Sequence, residues 1–158
     1  MVGLAENGLA ELHLEWNDLD QARQWNEKSL AHFKLWGHAE HTLLALLTEA
    51  EIVRCAHDLE NAFTLVEEGR ALAIKNRLAS SLKRVDSASA RIYWEKGQTD
   101  LACQALCAAG FLEKTGQPEH PFRPTPTLHP MLAYLYPTGV WLLNARGETQ
   151  MALEWLDR

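Results

Sequence analysis

The histidine and cysteine side chains of this chain could in principle hold a metal or act as nucleophiles. His38 and His41 are close in sequence, but they fall near a turn between helices, which favours surface histidines. Cys103 and Cys107 lie one helical turn apart, and a zinc site needs two further ligands that are not spaced nearby. They are better interpreted as small buried apolar residues. The chain contains no phosphate-binding glycine loop, no Gly-x-Ser-x-Gly and no His-Glu-x-x-His. We therefore expect no enzyme, no bound metal and no cofactor.

One group of side chains has recognisable binding chemistry. Arg84, Arg91 and Trp94 have spacings that place them on one face of a helix. Arginine beside tryptophan can bind a carboxylate through two hydrogen bonds or stack on a planar ligand. The alternative is a solvated ion network with Glu51 and Glu95, which would contribute little net energy, with Trp94 packed against the next repeat.

Composition excludes several classes of function. The 158 residues carry a net charge of −6, so the chain lacks the excess of basic residues that binds the phosphates of nucleic acid. No apolar run approaches the roughly 20 residues that span a bilayer, so we expect no membrane partner. The first residues lack the pattern of a signal peptide, and three cysteines cannot all pair within one chain. These features predict a cytoplasmic protein.

The sequence repeats every 40 residues, and this repeat predicts the fold. The segments 17–22, 57–62 and 97–102 align without a gap, and a fourth copy at 147–152 follows after 50 residues. Small residues recur at fixed places in each unit, which close helix packing requires. These structural repeat positions are Ala10, Ala22, Ala50, Ala62, Ala90, Ala102 and Ala152.

Each unit is interpreted as two helices around a tight polar turn. The first helices are predicted at about 4–15, 40–55, 80–95 and 129–144, and the second helices at about 19–35, 59–75, 99–114 and 148–157. Asp18 and Asp58 are placed to cap second helices, and Gly37 and Gly116 to end them. Stacked pairs predict a single all-α domain, a right-handed superhelical solenoid. Its units cover about 1–38, 39–78, 79–116 and 128–158. A closed bundle of eight helices is the alternative, and the lack of a polar capping helix suggests a fragment or a chain that docks on itself.

A Pro-rich insertion at residues 117–130 interrupts the repeat. Its proline density predicts extended or polyproline II backbone. It is interpreted as a loop laid along the solenoid and anchored by Phe122. A docking strand for a partner, or a lid over the groove, stays open as an alternative. Pro137 should kink or delay the first helix of unit four.

The small-residue places resemble those of a tetratricopeptide unit, and the longer period points to a variant of it. The string from Gly8 to Leu19, GLAELHLEWNDL, resembles the sensor region of the large MalT-type regulators of the LuxR superfamily. That resemblance implies a sensor or interaction domain of a bacterial transcriptional regulator. Signalling ATPase and helix-turn-helix domains are then expected outside this chain, since this sequence contains neither motif.

Tetratricopeptide geometry further implies that the first helices line a concave groove. The residues expected to bind an effector or partner there are Glu11, Glu51, Arg54, Arg84, Ser87, Arg91, Trp94, Tyr134, Trp141 and Asn144. Asn7 is expected beside them, and Trp16 is expected to fill the seam to unit two. Binding would favour one curvature of the stack. The competing hypothesis is a free-standing adaptor that holds a peptide or helix of another protein.

Overall fold

The computed structural model describes the backbone of residues 2–114, 122–124 and 136–156, and the side chains of residues 2–112 and 139–154. In chain order the described helices are α1 (Val2–Glu15), α2 (Leu19–Trp36), α3 (Ala39–Cys55), α4 (Leu59–Lys75), α5 (Ala79–Glu95), α6 (Thr99–Ala109), α7 (Tyr136–Ala145) and α8 (Thr149–Leu156). Two short strands, β1 (Leu112–Lys114) and β2 (Phe122–Pro124), lie between α6 and α7. The prediction of an all-α chain built from helix pairs is confirmed.

The turn inside each pair has the same backbone conformation. Asn17, His57, Gly97 and Gly147 take φ values of 58°, 64°, 72° and 79°. This left-handed conformation is uncommon for residues other than glycine. Its recurrence after 40, 40 and 50 residues matches the spacing of the sequence copies. The turn geometry therefore belongs to the repeat.

Side-chain caps start two of the second helices. The carboxylate of Asp18 accepts a hydrogen bond of 3.2 Å from the backbone N–H of Gln21, and Asp58 accepts one of 3.1 Å from Asn61. Both caps satisfy a backbone donor that the first turn would otherwise leave unpaired. At the other end of α2, Gly37 adopts a φ of 67° and terminates the helix. The predicted roles of these three residues are confirmed.

The second helix of the third unit is shorter than expected. Helix α6 ends at Ala109 rather than near residue 114, because Gly110 takes the left-handed conformation with a φ of 87°. The prediction that Gly116 ends this helix is wrong. After Gly110 the chain extends, buries Phe111 and Leu112, and forms β1. Strand β1 pairs antiparallel with β2, with Glu113 opposite Arg123.

The described part of the Pro-rich insertion is β2, which is extended as its composition predicts. The rest of the insertion and the side chain of Phe122 lie outside the described residues, so its role as an anchor stays a prediction. Helix α7 begins at Tyr136, which places Pro137 in the first turn, where no intrahelical N–H is required. The expected helix over residues 129–135 also lies outside the described residues.

The chain divides into two compact units, residues 1–88 and residues 89–158, and the division falls within α5. The seven alanines at the structural repeat positions are all buried. In the first unit the core includes Leu43, Ile52 and Val66, and in the second unit it includes Phe111 and Leu142. The expectation for Trp16 is wrong, because this side chain is 66% exposed and contacts the ring of His13 edge-on.

Candidate partner-binding surface

Buried hydrogen bonds hold the first helices of the first unit in place. The amide of Asn7 on α1 donates to the hydroxyl of Thr48 on α3 over 3.0 Å, and both side chains are buried. A buried polar group without a partner is costly, so this bond favours one alignment of α1 against α3. Asn7 therefore positions the surface rather than lining it, which corrects the expectation from the sequence.

Helix α2 packs on α3 through a second polar junction. The amide of Asn26 donates to the carbonyl oxygen of Ala45 at 3.0 Å and to the carboxylate of Glu49 at 2.9 Å. The guanidinium of Arg23 lies 3.5 Å from the same carboxylate. Since Asn26 is buried, the two contacts constrain the register between the first and second helix pairs.

The two outer first helices of this unit interact electrostatically. Partial desolvation raises the pKa of the Glu11 carboxyl on α1, although the side chain reaches solvent. The positive charge of Arg84 on α5 opposes this shift, and the negative charge of Glu15 adds to it. A contact also joins α5 to α3, because the hydroxyl of Ser81 lies 3.5 Å from the carboxylate of Glu40. Successive first helices are therefore neighbours, and their residues contribute to one surface.

Between them, α3 carries an ion pair. The guanidinium of Arg54 donates to the carboxylate of Glu51 over 2.6 Å, and it also donates to the sulfur of Cys55 over 3.4 Å. Both charged side chains are partly buried. This pair matches the ion network that was the alternative to ligand binding. A partner that binds Arg54 or Glu51 would have to replace these internal contacts with contacts to its own charged groups.

The remaining predicted residues have different positions. Ser87 is fully buried and donates to the carbonyl of Lys83 over 2.7 Å, so it cannot line an accessible groove. Arg91 belongs to the second unit, where Trp94 packs against the apolar core. Trp141 is exposed.

Two further residues complete the predicted set. Asn144 is exposed, and its side-chain oxygen accepts a hydrogen bond of 3.0 Å from the Thr149 hydroxyl. Tyr134 lies outside the described residues. Of the predicted set, the structure thus assigns Glu11, Glu51, Arg54 and Arg84 to accessible or partly accessible places on α1, α3 and α5 of the first unit; we call these four residues the first-helix surface.

Sequence reasoning missed a charged cluster in the second unit. The guanidinium of Arg146 donates to the carboxylate of Asp100 over 2.7 Å, and its Nε lies 3.6 Å from the buried carboxylate of Glu148. Burial raises the pKa of the neighbouring Cys103 to about 11, although Arg146 opposes the shift. Cys103 therefore stays a thiol near neutral pH and is a poor nucleophile. Glu148 occupies the repeat place of Asp18 and Asp58, a signal that could have drawn attention to it.

Comparison with known proteins shows the fold. No protein-family model and no curated protein sequence matches the chain. Among solved structures, a kinesin light chain-like protein of Podosopora anserina with nearly identical tetratricopeptide-like repeats is similar, at a TM-score of 0.64 and 18% sequence identity. The match covers 97% of this chain and 71% of that one. A variant of that protein gives a TM-score of 0.63 at 18% identity, over 97% of this chain and 70% of that one. The predicted tetratricopeptide-like fold is confirmed.

Solenoids of stacked repeats form extended surfaces to which other molecules can bind. Within the described residues, no group of three or more histidine, cysteine, aspartate or glutamate side chains could hold a metal ion. No helix in the described part of the chain is both long and apolar enough to cross a membrane.

Proposed function

We propose that the first unit binds a segment of a partner protein on the first-helix surface. The observations that support this most directly are the contacts between successive first helices, Asn7 of α1 with Thr48 of α3 and Ser81 of α5 with Glu40 of α3. They indicate a surface that extends over three successive first helices. A surface of that extent suits an extended strand or a helix of another chain better than a small molecule.

The charges of the surface suggest what the partner segment carries. Arg84 offers a guanidinium that can bind a carboxylate through two hydrogen bonds. Glu11 is a partly desolvated carboxylate at the other side, which a lysine or arginine of the partner would stabilise. The partner segment therefore carries both signs of charge, with its acidic residue facing α5. Like-charge contacts would reject the reversed orientation.

A displayed peptide library provides the test. Peptides enriched on the full chain are measured by fluorescence anisotropy against the wild type and against Arg84→Glu. We expect the charge reversal to weaken binding at least tenfold, about 1.4 kcal/mol, for peptides that contain an acidic residue. Arg77→Glu is the matched control, because Arg77 is an exposed arginine in the turn between α4 and α5. Equal affinity for the two variants, or no enriched peptide, would contradict the proposal.

A finer proposal concerns the biological setting. The resemblance of the segment from Gly8 to Leu19 to MalT-type regulators supports a cytoplasmic ligand-sensing domain of a bacterial transcriptional regulator. In that setting an effector on the same surface would shift the population between two arrangements of the helix pairs, by no more than its differential affinity. ATPase and helix-turn-helix domains would belong to the same polypeptide.

The size of the native polypeptide separates this setting from the alternative. Immunoblotting of source-cell lysate with an antibody to this chain should show a band several times larger than 17.8 kDa if it belongs to a regulator. A band at 17.8 kDa would instead support a free-standing adaptor that holds a peptide or helix. Either outcome leaves the peptide-binding test valid, since that test uses the chain itself.

A further inference from the structure

Helix α1 has an exposed apolar stripe that does not include Glu11. Ala5, Gly8, Leu9 and Leu12 follow the spacing i, i+3, i+4 and i+7, which places them on one helix face. All four are exposed, and the fractions for Leu9 and Leu12 are 37% and 42%. Trp16 continues the same stripe by one more turn. We call these five residues the α1 stripe.

The internal repeat shows what such a face contacts. Forty residues later, the places of Ala5, Gly8, Leu9 and Leu12 are taken by Ala45, Thr48, Glu49 and Ile52. Three of these later residues are buried, and Glu49 is partly buried. Ala45 and Glu49 contact α2, whose Asn26 bonds to both, whereas Thr48 accepts a hydrogen bond from Asn7 of α1. The part of the face around Ala45 and Glu49 is thus a receiving surface for the second helix of another pair.

Helix α8 is the second helix of its pair. It carries an exposed apolar residue at the repeat position where α2 has an ionic contact. In the repeat register Ala152 corresponds to Ala22, and both are buried. The next residue, Leu153, corresponds to Arg23, and it is 52% exposed. Leu153 therefore occupies the repeat position from which Arg23 of α2 contacts α3, the first helix of the following pair.

The two exposed leucines correspond to the two members of one ion pair. At the junction between α2 and α3, the guanidinium of Arg23 lies 3.5 Å from the carboxylate of Glu49. The counterpart of Glu49 on α1 is Leu9, and the counterpart of Arg23 on α8 is Leu153. Both changes convert a charge into an apolar side chain, so the two faces are complementary to each other in the same way as the internal pair. Two exposed leucines in contact bury apolar area without desolvating a charge.

We propose that α8 of one copy of this chain docks on the α1 stripe of a second copy, in the manner of α2 on α3. The contact joins two different surfaces of the chain, and successive contacts of this kind build either a closed ring or an open chain of copies. Association therefore grows with protein concentration. The proposal goes beyond peptide binding, because its residues are distinct from the first-helix surface.

Sedimentation velocity over a concentration series tests this on the full chain. The average mass of the wild type should rise above that of the monomer as concentration increases. Leu9→Glu and Leu153→Glu should each remain monomeric, because a desolvated unpaired carboxylate opposes the contact. Leu35→Glu is the matched control, since Leu35 is strongly exposed on α2 but lies outside both faces. Circular dichroism should show the same helicity for all variants, because each changed side chain is exposed.

Mixing and rescue distinguish the proposed contact from other modes of association. An equimolar mixture of Leu9→Glu and Leu153→Glu retains one intact α1 stripe and one intact α8, so it should form a 1:1 heterodimer and nothing larger. The double variant Leu9→Glu/Leu153→Arg recreates the charges of Glu49 and Arg23, and it should regain concentration-dependent association.

Three outcomes would overturn the proposal. One is a wild type that stays monomeric at every concentration. Another is a Leu153→Glu variant that still dimerises, which would indicate contact between two α1 stripes. The third is a mixture of the two glutamate variants that remains monomeric.

Discussion

The two compact units of this chain contrast in the side chains that position their helices. In the first unit the helix pairs meet through buried amides and hydroxyls, with Asn7 bonded to Thr48 and Asn26 bonded to Glu49. In the second unit the largest buried side chains are apolar, and they include Phe111, Leu106 and Leu142. The capping residues also differ, because aspartates bond to the first turns of α2 and α4, whereas the N-cap of α6 is Gln98, whose side chain makes no capping hydrogen bond.

The contrast shows that the same repeat can align its helices through buried hydrogen bonds or stabilise them through apolar packing. Apolar packing stabilises helices with little directional preference, whereas a buried hydrogen bond is satisfied in one alignment only. The first unit thus has the features that define the register of neighbouring first helices, and it carries the first-helix surface. Both units bury large apolar side chains, which contribute to the stability of each. Four variants would break or sharpen this comparison.

The largest effect is expected from Phe111→Ala in the second unit. Phe111 is almost fully buried in a core formed with Leu106, Leu142 and Leu143. Its truncation removes apolar contacts and leaves a cavity, which should lower the free energy of unfolding by about 3–5 kcal/mol. Urea denaturation followed by circular dichroism measures the change. Leu101→Ala, at an exposed position of α6, is the control and should change little.

A smaller loss is expected from Asn26→Ala in the first unit. The variant removes two hydrogen bonds and leaves the partly buried carboxylate of Glu49 without the Asn26 donor. The free energy of unfolding should fall by about 1–3 kcal/mol. Gln24→Ala, at an exposed place on the same helix, controls for helix propensity. If both variants unfold at the same urea concentration, the junction does not have the role we assign to it.

Gln98→Asp should transfer a feature of the first unit to the second. The Gln98 side chain makes no capping hydrogen bond within the described residues, whereas Asp18 and Asp58 do so at the same repeat position. An aspartate there should raise the free energy of unfolding by about 0.5–1 kcal/mol. Asp18→Ala should lower it by about as much. A thermal unfolding curve that does not move for Gln98→Asp would show that the cap is already satisfied in another way.

The smallest effect is expected from Glu11→Gln. Since desolvation raises the pKa of Glu11 in the folded chain, the folded state favours the protonated carboxyl. The resulting stabilisation is present below the unfolded pKa and is lost as pH rises through the higher folded value. Glutamine has no charge to desolvate, so the variant should gain stability over the wild type near neutral pH but not in acid. Solvent screening keeps the difference in stability between the two proteins small. Glu27→Gln, at an exposed position of α2, is the control.

The sequence predicted most of the helices because their signals are local. Spaced alanines, the capping aspartates and a turn repeated every 40 residues each act within one helix pair. The end of α6 was missed because two glycines could have terminated it, and burial of Phe111 and Leu112 favours the earlier one. Trp16 was misplaced because an aromatic residue at a helix end has the same spacing whether it is buried or exposed.

The candidate site was only partly predictable. Periodicity identified the faces that carry Glu11, Glu51, Arg54 and Arg84, but it could not tell that Ser87 and Asn7 on those helices are buried. A helix face has a gradual boundary, and the neighbouring pair decides which side chains at that boundary are covered. The ion pair of Asp100 with Arg146 joins residues 46 positions apart, so no local pattern reveals this pair, although the repeat place of Glu148 gives a hint of its role.

The sequence by itself determined the repeat, the helix pairs and the conformation of their turns, because these depend on residues within a few positions of one another. Only the tertiary structure decided which polar side chains became internal bonds and which leucines remained exposed. The reason is that burial depends on the helix that packs against a face, and α1 and α3 carry related faces with different neighbours. Leu9 is exposed, while the equivalent Glu49 is partly covered by α2.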